Sequence, residues 1–131
     1  ELGGKEYSPD VSFMSENPRY YAKLKENPGM VGHISEIESR INAEQNFYIP
    51  KSMVASKENL LQTGDIVAFT TSKRGLDYAH TGIVYVDENN NPRLLHASTK
   101  HKKVFLDQKL SEYINTVKSH TGITVFRPVK P

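Results

Sequence analysis

A chain of 131 residues, 37% apolar and 24% charged, is sized for one domain with a modest core. Seventeen basic against fifteen acidic residues leave a formal charge of only +2. The one basic cluster, Lys100-His101-Lys102-Lys103, is short and carries no interleaved aromatic residue, which argues against a nucleic-acid partner. No stretch approaches the roughly 20 consecutive apolar residues of a membrane span. The absence of cysteine excludes disulfides and thiolate metal sites within the chain. The start, Glu1-Leu2-Gly3-Gly4, has no initiator methionine and no signal-peptide pattern, so the chain is expected to follow something removed.

Taken in chain order, residues 1 to 12 are polar and Gly-containing. A first helix is then expected through Arg19-Tyr20-Tyr21-Ala22-Lys23-Leu24-Lys25, with Asn17 as N-cap, Pro18 in the first turn and Asn27-Pro28-Gly29 as terminator. Between Val31 and Asn46, Ile34, Ile37 and Ile41 recur at spacings of three and four, which predicts a second helix with these residues on one face. Tyr48-Ile49-Pro50-Lys51 breaks that pattern. From about residue 60 the period becomes strand-like. Strands are expected at Ile66–Thr70, Thr81–Val86, Arg93–His96, Val104–Leu106 and Ile123–Arg127, with a turn at Asp87 to Pro92. Leu106, Leu110, Tyr113 and Ile114 are spaced for a short helix laid on the sheet. The resulting expectation is an α+β domain over 1–131, or the C-terminal part of one: a mainly helical part over 1–59, then a β-rich part over 60–131 with a small antiparallel sheet or half-barrel.

Two histidines carry the chemistry. His80 opens the run His80-Thr81-Gly82-Ile83-Val84, and His96 closes Leu94-Leu95-His96, sixteen positions later across the turn. A hairpin would bring the two imidazoles together, one able to act as base and the other to fix its tautomer. Alone, each histidine reads equally as a sheet residue satisfied by its surroundings, and Gly82 either relieves packing or opens space for a substrate. Arg74 and Asp77, on the preceding loop, are candidates for contacting the charged groups of a substrate, or simply solvated turn residues. Asp77, His80 and His96 do not have the helical-turn spacing usual in hydrolytic zinc motifs, so no metal and no cofactor is expected. His33, His101 and His120 read as surface residues. The aromatic residues Tyr7, Phe13, Tyr20, Tyr21, Phe47, Tyr48 and Tyr78 read as core packing before sugar contacts.

The segments Thr63-Gly64-Asp65-Ile66-Val67-Ala68-Phe69, His80-Thr81-Gly82-Ile83-Val84 and Leu95-His96-Ala97-Ser98 resemble, in order and spacing, the catalytic half of the NlpC/P60 superfamily of papain-like cell-wall hydrolases. More narrowly, Thr70 to Asp77, Gly122-Ile123-Thr124-Val125-Phe126-Arg127-Pro128 and the segment from Phe13 to Lys51 resemble the DUF1460 family of N-acetylmuramoyl-L-alanine amidase-like proteins. The resemblance covers most of the chain. It implies a papain-like fold, with His80 as general base and His96 as the orienting residue.

That family carries its cysteine nucleophile at a helix start upstream of every segment matched here, and no residue of this sequence takes that role. Ser15, Ser72 and Ser98 are not placed to replace it. The resemblance therefore implies the C-terminal part of a cysteine amidase that hydrolyses an amide bond in peptidoglycan or muropeptides, inactive without its Cys-bearing segment. It further implies a bacterial envelope or exported location, and an N-terminal fragment of the same protein as a potential partner. The alternative, from a different class, is a non-catalytic module that binds murein peptides.

Overall fold

The structure, a computed structural model, describes residues 2–129. In chain order it contains β1 (Lys5–Tyr7), α1 (Phe13–Glu16), α2 (Ala22–Glu26), α3 (Met30–Asn42), β2 (Asn46–Pro50), α4 (Val54–Lys57), β3 (Ile66–Thr71), β4 (Tyr78–Val86), β5 (Pro92–Ser98), β6 (Lys103–Lys109), α5 (Leu110–Thr116) and β7 (His120–Phe126). Single 3₁₀ turns occupy Pro18–Tyr20, Lys51–Met53 and Glu58–Leu60. The fold class is α+β with one seven-stranded sheet, in the order β1-β2-β7-β3-β4-β5-β6, and the pairs from β2 to β6 are antiparallel.

The chain divides into two compact units. One comprises the segment ending at Lys5, Phe47–Ser72 and everything from Tyr78 onward; the other comprises Glu6–Asn46 and Lys73–Asp77.

In the first unit, alternation along the strands sends Val67, Phe69, Val84, Leu94 and Ile123 to one face, where each is at most 1% exposed. Val54 of α4 and Leu110 and Ile114 of α5 cover that face. Glu58 holds the start of α5 in place: Oε2 accepts the Ser111 N–H at 3.1 Å and Oε1 pairs with Lys109 Nζ at 3.1 Å, so an otherwise orphaned first-turn donor is satisfied. The opposite face keeps Ile66, Ile83, Tyr85 and Phe126 substantially exposed. The Asp87 to Pro92 turn forms as the sequence predicts, with Asp87 Oδ1 accepting the N–H groups of Asn89 and Asn91 at 2.9 Å and Asn90 at φ 59°.

Several expectations are corrected. The helical pattern does break before Tyr48-Ile49-Pro50, which is extended as expected, but the segment also pairs as part of β2, with Ile49 opposite Ile123; Pro50 ends the strand, where its missing donor costs no ladder bond. The strand expected at Val104–Leu106 runs on to Lys109, and the helix expected from Leu106 begins only at Leu110. His120 is buried at 5% exposure, its ring stacked 4.8 Å from that of Phe69, and is not a surface histidine.

In the second unit, Asn17 does not cap a following helix; its N–H closes α1 on Phe13 O, and the extended Tyr21 separates the Pro18–Tyr20 turn from α2. α3 forms where the isoleucine spacing predicts a helix, with Ile34 and Ile41 half-buried. Ile37 is 42% exposed, and the buried residue is Glu38. Its Oε1 accepts the N–H groups of Met14 and Ser15 at 3.0 and 3.3 Å, so an acidic side chain from α3 satisfies the first-turn donors of α1.

Candidate functional site

On the covered face of the sheet, the backbone register brings two imidazoles together. His80 lies opposite Phe69 on β3, and His96 lies opposite Phe105 on β6. The β4–β5 register pairs Ile83 with Leu95, and carried one step further it sets Gly82 opposite His96. Gly82 is there because nothing larger fits. A Cβ on it would lie 2.5 Å from Leu94 Cδ1, 2.9 Å from Leu95 O and 3.1 Å from His96 Cβ. With no side chain between them, His80 Nε2 and His96 Nδ1 meet at 2.7 Å, their rings edge to face. Of the two uses the sequence leaves open for Gly82, close packing is the one seen.

The pair sits in an aromatic nest. Tyr113 of α5 lies edge-on 4.9 Å from the His96 ring and 6.1 Å from His80, and Phe69 lies 6.0 Å from His80. His96 is 5% exposed while His80 stays half-buried. Burial, and then the neighbouring His96, push the His80 pKa below its ordinary value, which favours the neutral imidazole that can accept a proton. With Nε2 engaged by His96, the other ring nitrogen, Nδ1, is the position from which His80 can act on a reacting group.

A third residue joins the line. Asp107 Oδ2 lies 3.0 Å from His96 Nε2. Burial raises its pKa, but the Gln108 N–H, the His96 hydrogen bond and the charges of His96 and His101 outweigh this, so the carboxyl ends below its usual range. The sequence reading missed Asp107, Tyr113, Phe69 and His120. For Asp107 a signal existed: it shares strand parity with Phe105, on the face opposite Val104 and Leu106.

Arg74 and Asp77 belong to the other compact unit, in its Lys73–Asp77 segment. Arg74 is exposed. Asp77 is drawn inward: burial raises its pKa, while the Asp10 N–H and the Tyr7 side chain bond to its carboxylate and lower it in part. Among the described residues, no group of three or more His, Cys, Asp or Glu is arranged to hold a metal ion, and no helix is long and apolar enough to cross a membrane. A cavity of about 540 Å³ lined in part by Leu2, Phe47, Tyr48, Leu60 and Arg127 includes neither histidine, and its one charged wall, Arg127, is committed to Asp65.

No curated protein sequence matches the chain. A family model described as N-acetylmuramoyl-L-alanine amidase-like (AmiA-like) matches residues 4–123. Among solved structures, an N-acetylmuramoyl-L-alanine amidase from Bacteroides uniformis ATCC 8492 is similar with a TM-score of 0.88 and 33% identity, over 98% of this chain and 55% of its own. A Bacteroides fragilis protein provisionally named a xylanase is similar with a TM-score of 0.84 and 32% identity, over 96% and 55%. A Legionella pneumophila protein carrying the family designation DUF1460 shares the fold alone, at a TM-score of 0.54 and 19% identity, over 74% and 40%. The chain thus spans about 55% of the length of the first two.

Proposed function

Because the chain belongs to the N-acetylmuramoyl-L-alanine amidase-like family, we propose that it is the histidine-bearing part of a peptidoglycan amidase of cysteine type, papain-like in the NlpC/P60 and DUF1460 sense, acting on the amide bond between muramic acid and L-alanine. The observation that carries this reading is the 2.7 Å contact of His80 Nε2 with His96 Nδ1, which leaves His80 Nδ1 free for proton transfer on a half-buried ring. The nucleophile comes from the portion of the relatives' length that this chain does not span. His80 Nδ1 takes the thiol proton and the thiolate attacks the amide carbon. As the C–N bond breaks, the imidazolium returns that proton to the leaving amine, and water then hydrolyses the acyl-enzyme. The substrate places the protein in the bacterial envelope or outside the cell.

The xylanase name of the Bacteroides fragilis relative implies different chemistry. Glycoside hydrolysis ordinarily uses two carboxyl groups about 5–9.5 Å apart across the scissile bond. The cluster around His80 supplies one, Asp107, already engaged by His96.

The test is an assay of the complete protein on an N-acetylmuramoyl-L-alanine-containing muropeptide. Release of the peptide amine is expected, with His80→Ala lowering kcat about 10³-fold or more and the 131-residue chain alone giving no turnover. A complete protein that binds the muropeptide without cleaving it is a binding module, and the amidase reading fails.

A further inference from the structure

The mechanism above makes no use of the carboxylate behind His96. Asp107 is held at all three of its oxygens: Oδ2 faces His96 Nε2 at 3.0 Å, Oδ1 accepts the Gln108 N–H at 2.8 Å, and its backbone carbonyl accepts from Arg93 Nε at 2.8 Å. Strand parity with Phe105, which lies opposite His96, turns it to the side of the histidines, and a bulge adjoins it. From Arg93 to Leu95 β5 advances two residues, while the facing β6 advances three, from Lys109 to Leu106, so one residue in the Asp107–Gln108 stretch is extra to the ladder.

We propose that Asp107 is a positioning residue of this site, which sets the tautomers of both histidines in series. A carboxylate only accepts hydrogen bonds, so the His96 nitrogen that faces it, Nε2, carries the hydrogen. Nδ1 of neutral His96 is then a lone pair, and the 2.7 Å contact is donated by His80 Nε2–H. His80 is left with its lone pair on Nδ1, the nitrogen not turned toward His96. Asp107 thereby decides, from two residues away, which atom of His80 is the base. The lowered pKa of Asp107 keeps it ionised at neutral pH. The catalytic meaning rests on the amidase reading; the proton order does not.

The substitution Asp107→Asn makes the sharpest test. The Gln108 N–H will keep the asparagine carbonyl at the Oδ1 position, which turns the NH₂ group toward His96 Nε2. A donor there demands a lone pair, so His96 shifts to Nδ1–H, His80 Nε2 becomes the acceptor, and the His80 hydrogen moves to Nδ1. Nitrogen-15 NMR of the 131-residue chain at about pH 8, where ordinary histidines are neutral, reads this directly. The unsubstituted chain is expected to show both Nε2 atoms as N–H and both Nδ1 atoms as lone pairs. D107N is expected to invert the two rings together, and D107A to give His96 a mixture of tautomers.

An Nδ1–H on His96 in the unsubstituted chain overturns the proposal, and so does a folded D107N chain with an unchanged order. Should D107N not fold, D107A decides, and a single unchanged tautomer at His96 overturns it. In the complete enzyme D107N is expected to lower kcat about 10³- to 10⁴-fold with KM little changed, the loss a wrong tautomer causes in a serine protease triad. A complete protein that lacks amidase activity but shows the predicted proton order removes the amidase reading and leaves the assignment of Asp107 standing.

Discussion

Two carboxylates of the same unit, Asp65 and Asp107, are each held by a basic partner, and the partners make them opposites. Asp65 is 1% exposed and is closed by Arg127, whose Nε and guanidinium NH₂ reach its two oxygens at 2.8 Å, with the Gln62 N–H adding a third bond at 2.8 Å. Those contacts, the Arg127 hydrogen bond first, outweigh burial and hold its carboxyl below the usual range. Asp107 faces an imidazole that passes the contact on to a second imidazole. A guanidinium does not release its proton, so the first arrangement can only fasten the entrance of β3 to the end of β7. An imidazole exchanges its proton near neutral pH, so the second can do chemistry. A carboxylate–cation contact is therefore informative about function through the partner's ability to titrate.

The contrast is broken most directly at the closed pair. Arg127→Ala leaves the buried Asp65 without its cation and is expected to cost about 3 kcal/mol in urea unfolding, with no change in the nitrogen spectrum of His80 or His96. A loss under about 1 kcal/mol, within the range of exposed pairs, would remove the distinction. Gly82→Ala should have an intermediate effect, about 1–3 kcal/mol from overpacking against Leu94 and Leu95. Unlike Arg127→Ala it should disturb the imidazole contact, because the added methyl also meets His96 Cβ. A folded Gly82→Ala chain with unaltered His80 and His96 resonances would show that the glycine does not gauge their separation.

The smallest expected effect is pH dependence. The folded pKa of His80 lies below its ordinary value of 6.5, so between the two the unfolded chain binds more protons and stability rises with pH. The contribution is complete above about 6.5 and is lost as pH falls through that value toward the folded pKa. Asp65 and Asp107, with lowered carboxyl pKa values, contribute above about 3.8 and lose that contribution only in stronger acid. Urea titrations between about pH 8 and 5 should therefore show a decline that His80→Gln reduces and Arg127→Ala leaves in place.

What the sequence discloses follows from how regular each strand is. Ile66 to Thr70 is readable as a short apolar run, Thr81 to Val86 by its alternation and the Asp87 turn by its residue chemistry. β1 is too short to carry a period, and β2 is disguised by Pro50, harmless at a strand end. The spacing of Leu106, Leu110, Tyr113 and Ile114 imitates a helix across a point where a strand, a bulge and a helix succeed one another, and this conceals Asp107. Glu38 is not announced by the spacing in α3, because a charged residue takes the buried position in order to satisfy donors of another helix. His80 and His96 are legible as residues of interest; the 2.7 Å contact depends on a register that no single strand encodes.

Among the described residues, three such irregularities are seen in the sheet, each beside the imidazole cluster. Besides the one at Asp107, the β3–β4 register shifts between Phe69 and Thr70, leaving Ala79 extra beside His80, and the β3–β7 register shifts between Thr70 and Thr71, leaving Thr121 extra beside His120. In a regular strand, residues two apart share a face. Here Tyr78 reaches Thr124 on one side of the sheet while His80, two positions on, meets His96 on the other. One surplus residue thus releases neighbouring positions from a common fate: the side of the sheet that bears the histidines and the side that bears Tyr78 can each be altered in sequence without dictating what the other must be.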